Sequence, residues 1–321
     1  MIAPAPGIAP APGTTAAPVG DAPQSIVIVG PTASGKSLLA LELAELLGDS
    51  EIVSVDSMQV YREMDIGTAK ATEADQRRIP HHLVDLVDPD ADFSVAWFQT
   101  EAFAVLDKLA ATGRRAILVG GTGLYHRAVI DRLQIPGQFP EVRAALDAEE
   151  STAVLYRRLS ALDPLAASRT EPTNRRRIVR ALEVTIGADR PFSSFGPGLD
   201  EYPETDHLII GLDVARDRLG SLVGDRVEQM MADGFLDEVT ALAARPAGVS
   251  RTAAQALGYR ELLAHLDGET SLDDAVADTV RRTRQFAVRQ DRWFRRDPRT
   301  LWFDSETRSL PQRIADTLER R

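Results

Sequence analysis

The sequence predicts an α/β fold: a parallel sheet flanked by helices, with a mainly helical insertion. Three observations predict it. Apolar runs alternate with helical patterns through the first part of the chain. A glycine-rich loop joins the first run to the first helix. After Asp131 the pattern turns helical, until one more apolar run at 207–212 returns to the sheet.

The first strand is Ile26-Val27-Ile28-Val29, a continuous apolar run of the kind that parallel strands covered on both faces show. A helix at 36–47 follows, then a second strand, Ile52-Val53-Ser54-Val55. A helix from about 96 to 111 leads to the strand Ala116-Ile117-Leu118-Val119, which runs into Gly120-Gly121-Thr122-Gly123. Such alternation implies right-handed crossovers and ligands at the carboxyl ends of the strands. Prolines at 136, 140 and 164 and the stretch 191–203 break the helical region. Beyond the strand at 207–212, helices are expected at about 217–233, 235–244, 252–266 and 271–296, with a tail strand at 300–303. The expected organisation is a core of 24–135 plus 204–321 and a helical insertion at 136–203, without internal repeats.

A chain of 321 residues with 44% hydrophobic content can build a full core. It has no cysteine, which removes disulfide and thiol chemistry and suits the cytoplasm. Residues 1–23 are nearly all Ala, Pro, Gly and Thr and are expected to form a disordered tail, neither a signal peptide nor an anchor. No apolar run approaches the roughly 20 residues that span a bilayer, so no membrane partner is expected. Net charge is −11, yet arginine is concentrated twice, at Arg175, Arg176, Arg177 and Arg180 and along 281–299. Nucleic acid needs a local basic stripe, for which overall charge is a weak guide.

Residues 30–37 read Gly30-Pro31-Thr32-Ala33-Ser34-Gly35-Lys36-Ser37, a complete G-x-x-x-x-G-K-[ST] phosphate loop in its strand–loop–helix context. The glycines let successive N–H groups face one anion, while Lys36 and the helix N-terminus add positive charge. Ser37 is placed to ligate magnesium. The sheet is therefore expected to be P-loop NTPase-like, and a nucleotide- or ATP-binding label would follow from this motif alone.

Nucleotide hydrolases of this class usually end an apolar strand with an aspartate that holds magnesium. Here the strand at 116–119 ends in Gly120-Gly121-Thr122 without a carboxylate, so the loop is expected to hold a diphosphate without cleaving a nucleotide. The Gly120–Gly123 turn either offers backbone N–H groups and the Thr122 hydroxyl to phosphate or is a plain turn. Asp56, directly after the second strand, is either a catalytic carboxylate or a turn-capping residue.

On the helix at 271–296, Arg281, Arg284, Arg292 and Arg295 fall within about 80° of one another, and Arg282, Arg289 and Arg296 widen that face. Phe286, Ala287, Trp293 and Phe294 lie opposite, toward the core. So few acids are near in sequence that pairing is not expected to satisfy seven arginines, and a phosphate contact is favoured. His81-His82 lacks a third partner and reads poorly as a metal pair, and Met58, Met64, Met230 and Met231 read as core or pocket fillers.

Together these motifs resemble one family, the tRNA dimethylallyltransferases or tRNA isopentenyltransferases. The likeness is carried by the phosphate loop, Asp56-Ser57-Met58-Gln59-Val60-Tyr61, Met64-Asp65-Ile66-Gly67-Thr68-Ala69-Lys70 and Pro80-His81-His82-Leu83-Val84-Asp85. It continues through Gly120-Gly121-Thr122-Gly123-Leu124-Tyr125, Arg177-Ile178-Val179-Arg180-Ala181-Leu182-Glu183-Val184, Gly258-Tyr259-Arg260-Glu261 and Arg289-Gln290, and covers nearly all of 25–305.

The resemblance implies transfer of a dimethylallyl group from dimethylallyl diphosphate to N6 of adenine 37, beside the anticodon of tRNAs reading codons that start with U. It implies that Asp56 is the general base, that Lys36, Thr122 and Arg226 attend the diphosphate, and that Ser37 holds Mg2+. Asp56, Ser57, Met58, Gln59, Thr122, Arg143, Arg176, Arg177, Arg180, Gln255, Gly258, Tyr259 and Arg260 would grip the anticodon stem-loop. A monomer is expected. Departures from the family pattern stand at Glu171-Pro172-Thr173-Asn174, Leu222 and Val288, where basic or tRNA-facing residues are common. The competing readings are a small-molecule P-loop kinase, a transferase acting on free adenine nucleotides, and an RNA-binding protein with an idle loop.

Overall fold

The structure, a computed structural model, describes residues 24–196 and 198–320, so the expected tail at 1–23 lies outside the described residues. Strands β1 (Ile26–Val29), β2 (Ser50–Ser54), β3 (His81–His82), β4 (Arg115–Val119), β5 (Leu208–Asp213) and β6 (Leu301–Asp304) form one sheet in the order β3-β2-β4-β1-β5-β6. Every pairing is parallel. The expected P-loop NTPase-like sheet is thus present. The second strand begins earlier than expected and ends at Ser54, although Val55 N–H still reaches the Val119 carbonyl at 2.8 Å.

Alternate residues of the strands serve two cores. Val27, Val29, Val53, Leu118 and Ile209 face α3 (Val95–Ala111), α10 (Phe235–Ala243) and α11 (Tyr259–Leu266). Ile26, Ile28, Ile52, Ile117 and Ile210 face α1 (Lys36–Leu47) and α13 (Leu310–Glu319). Both faces are covered, which is why the strands read as unbroken apolar runs. Two elements go beyond the expected ones: α13 and α2 (Glu73–Arg78), the latter capped by the Thr72 hydroxyl.

The helix expected at 252–266 is broken. A 3-10 turn at Ala253–Gln255 precedes α11, and between them Gly258 has φ 85°. A Cβ there would stand 2.5 Å from the Phe235 ring, so the break requires glycine both for its φ and for its packing against α10. The long helix is α12 (Leu272–Phe294), preceded by α9 (Arg216–Ala232), and α4 (Gly123–Ile130) follows the β4 turn.

Four helices, α5 (Pro140–Asp147), α6 (Thr152–Leu162), α7 (Pro164–Ser168) and α8 (Arg175–Gly187), pack around their own cluster of Leu146, Leu155, Leu159, Ile178 and Leu182. The chain returning from them is pinned by Arg127, which donates to the Leu199 and Glu201 carbonyls, and by Arg299, which donates to the Pro203 carbonyl. Asp131, its side chain 2% exposed, bridges both guanidiniums.

Candidate active site

β2, β4 and β1 are neighbours in the sheet, so their carboxyl ends bring three sequence-distant segments together: Asp56, the Gly120–Thr122 turn and the phosphate loop. The approach is tight. A Cβ at Gly120 would stand 2.1 Å from the Val55 carbonyl oxygen, so only glycine lets β4 leave the sheet beside β2. A cleft of about 650 Å³ opens over this edge, and Thr32, Lys36, Ser37, Asp56, Ser57, Met58, Gln59, Thr122, Arg226, Gln255 and Tyr259 all line it. These sequence-predicted residues therefore share one cavity.

The loop curls through left-handed backbone at Ala33 (φ 63°) and Gly35 (φ 86°), which lets its amides face one point. Lys36 opens α1, is 8% exposed, and donates from Nζ to the Pro31 carbonyl at 2.6 Å. Burial lowers its pKa from 10.5 to about 7, helped by the neighbouring Arg226 cation and opposed by Asp56. Burial likewise lowers Arg226, on α9, with Asp56 again opposing. The cleft thus holds cationic groups that gain from an arriving anion. The Ser37 side chain is exposed into it.

Asp56 caps a turn and also faces the cleft. Its Oδ1 accepts the Met58 N–H at 2.8 Å, a turn cap, while the carboxylate also lines the cleft and acts on Lys36 and Arg226. Thr122 Oγ1 accepts the Ser57 N–H at 3.1 Å and points its proton toward Ser57 Oγ at 3.4 Å. That second contact is long for a hydroxyl pair, so the proton is free for a stronger acceptor. Behind the turn, burial lowers the pKa of His126 to about 4, and its Nε2 bonds the Gly120 carbonyl at 3.2 Å.

The Met64–Lys70 segment forms a wall of the cleft and is cross-linked throughout. Lys70 Nζ donates to the Tyr61 carbonyl at 2.8 Å and to Asp85 at 2.6 Å. Glu238 accepts the N–H groups of Asp65, Ile66 and Gly67 and the Tyr259 hydroxyl. Gln59 accepts from Ser54 Oγ and donates to the Thr68 and Ala69 carbonyls, so its amide is spent within the protein. Met58, Val227, Met230, Phe235, Leu257 and Phe286 add apolar lining to the cleft. Sequence reasoning missed Glu238 and Phe235 because both bind the Met64–Lys70 segment, more than 160 residues away in the chain.

Other predicted residues lie elsewhere. Gly258 is buried, and Arg260 is exposed near the start of α11. Arg176 and Arg177 are exposed on α8 without an ion pair among the described residues. Arg143 pairs with Asp147 at 2.8 Å, and Arg180 with Glu183 at 2.8 Å and with the Pro136 carbonyl. His81 bonds the Ile79 carbonyl and His82 bonds Glu51, and no cluster of metal-binding side chains occurs among the described residues.

Acids meet only some of the seven α12 arginines, as expected, although more of them find partners than the local sequence shows. Arg281 meets Asp278, Arg282 meets Glu261, Arg284 donates to the Gly220 carbonyl, and Arg295 meets both Asp213 and Asp291. Several of these partners arrive from other elements, which local sequence cannot show. Arg292 and Arg296 remain exposed and unpaired among the described residues, and Arg289 lies over the Phe286 ring and lines the cleft.

A family model described as IPP transferase matches residues 59–297, and one described as Isopentenyl transferase matches residues 23–83. A relative named tRNA dimethylallyltransferase from Streptomyces avermitilis is 48% identical over 305 residues, covering 93% of this chain and 97% of its own. One of the same name from Geobacter metallireducens is 45% identical over 284 residues, covering 87% of this chain and 92% of its own. The crystal structure of a Staphylococcus epidermidis tRNA delta(2)-isopentenylpyrophosphate transferase superposes with a TM-score of 0.69 at 33% identity, covering 93% of this chain and all of that one. A eukaryotic dimethylallyltransferase described as acting on tRNA superposes with a TM-score of 0.77 at 26% identity, covering 93% of this chain and 80% of that one. The chain belongs to the IPP transferase family.

Proposed function

We propose that this protein transfers a dimethylallyl group from dimethylallyl diphosphate to N6 of adenine 37 in tRNAs that read codons starting with U, releasing diphosphate. One observation carries the reading: the cleft sets the Asp56 carboxylate opposite a phosphate loop whose Lys36 and neighbouring Arg226 are desolvated cations. The allylic C–O bond breaks, its electron pair leaves with the diphosphate, and the N6 lone pair forms the new C–N bond. Asp56 takes the N6 proton, a general-base role for which a carboxylate in the cleft is positioned. Lys36, Arg226, the Thr122 hydroxyl and the loop N–H groups of Ala33 and Gly35 meet the charge that grows on the leaving group.

Mg2+ fits this donor set. The hydroxyl of Ser37 faces the cleft, and without an acidic cluster among the described residues the ion would be held by Ser37, diphosphate oxygens and water. When bound, it would neutralise diphosphate charge. The apolar lining at Met230, Phe235 and Phe286 suits the five-carbon group. Adenine 37 leaves the anticodon stack to enter the cleft, as base-modifying enzymes require. Ser57, Met58, Gln255 and Tyr259 line its path, and Arg143, Arg176, Arg177, Arg180 and Arg260 hold the anticodon stem-loop. The protein acts as a monomer in the cytoplasm; no helix among the described residues is long and apolar enough to cross a membrane.

Incubation with labelled dimethylallyl diphosphate, magnesium and either unmodified tRNA or AMP tests this reading. Label on tRNA is expected; label on AMP alone would make the protein a free-nucleotide transferase.

A further inference from the structure

Gln290 sits on α12, outside both strand ends and the phosphate loop, yet its side chain bridges them. The Thr32 N–H donates to Gln290 Oε1 at 2.8 Å, and Gln290 Nε2 donates to the Gly121 carbonyl at 2.9 Å. The residue is 5% exposed and lines the cleft. The turn is emptied to receive it: a Cβ at Gly121 would stand 2.1 Å from Gln290 Nε2. Gly121 does not have a positive φ, so glycine is required there by the amide and not by the backbone. One turn further along α12, Trp293 imposes the same condition on Gly123, with its Nε1 2.1 Å from a Cβ.

Resting on the transferase reading above, we propose that Gln290 is a positioning residue of the diphosphate site. It is a crosspiece that sets the gap between the phosphate loop and the Thr122 turn before substrate enters. The chemistry admits few other side chains. One group must accept from an amide and donate to a carbonyl at once, which a carboxamide does. Glutamate offers only acceptors, so it faces the Gly121 carbonyl lone pairs and adds negative charge beside the diphosphate. Methionine fills the volume with neither bond, and asparagine is one methylene short. Donors held in place beforehand need no reorganisation as the leaving-group charge develops, and misplacement by about 1 Å can cost on the order of a hundredfold.

Q290M and Q290E test the proposal against wild type through three readouts: calorimetric binding of inorganic diphosphate with magnesium, separate KM values for dimethylallyl diphosphate and tRNA, and thermal melting. The expected result is diphosphate affinity reduced at least about tenfold, with the KM for dimethylallyl diphosphate raised in step, Q290E worse than Q290M, and the KM for tRNA unchanged. Unchanged diphosphate binding in either folded variant overturns the proposal. So does an equal loss in every parameter, or the failure of both variants to fold, each of which makes Gln290 a stability residue only. Wild-type protein that binds diphosphate but prenylates no tRNA sinks the transferase reading instead and leaves the crosspiece standing.

Discussion

Lys36 Nζ donates to the carbonyl of Pro31, five residues back in the same loop, at 2.6 Å. The amine is therefore held inside the phosphate cradle by a neutral partner, while burial and Arg226 keep its pKa at about 7. An arriving diphosphate favours the charged form and raises that value. Above about pH 7 the free enzyme has lost the proton, so binding must take one up, and affinity falls by up to about tenfold per pH unit. Below pH 7 the proton is already present and affinity levels off. Titration calorimetry of diphosphate at pH 8, in two buffers of different ionisation enthalpy, should show close to one proton taken up. No uptake would mean that Lys36 is already charged in the free protein.

Asp56→Asn keeps an acceptor for the Met58 N–H but removes the base. Transfer under single-turnover conditions should fall by about 10²–10⁴, while tRNA affinity stays within twofold or so. A variant that keeps most of its rate would remove Asp56 from the proton path.

The arginines of α12 are not equivalent. Arg292 is exposed and unpaired among the described residues, whereas Arg284 is committed to the Gly220 carbonyl. Arg292→Ala should weaken tRNA binding and lower the slope of log K against log salt by about 1, and Arg284→Ala should leave that slope alone. Equal slopes for wild type and Arg292→Ala would exclude this face as a phosphate contact.

Asp131 is shared by Arg127 and Arg299, both of which pin the chain returning from the α5–α8 helices. Asp131→Ala leaves a buried guanidinium uncompensated and should cost about 3–5 kcal/mol in denaturant unfolding. A loss under about 1 kcal/mol would show the pair to be solvated.

What was legible in the sequence, and what was not, follows from the range of the interactions. β1, β4 and β5 were readable because a parallel strand buried on both faces is one apolar run. The phosphate loop was readable because its spacing is its mechanism, which placed Lys36 and Ser37, and Asp56 stood out by directly following a strand. At the helix break, Gly258 packs against a ring on α10, and the partners of Arg282 and Arg295 come from α11 and β5. Gln290 stood in a recognisable motif, yet its role depends on two loops lying 169 and 258 residues away. Such contacts leave no local period.

The central claim is that this cleft joins a five-carbon group to one adenine of tRNA. The most direct test is nucleoside mass spectrometry after reaction of the protein with dimethylallyl diphosphate, magnesium and an unmodified anticodon stem-loop, with a matched stem-loop carrying guanine at position 37 as control. The account predicts N6-dimethylallyladenosine in the first, at position 37 only, and none in the second. Modification elsewhere in the loop, or equal modification of both, would contradict it.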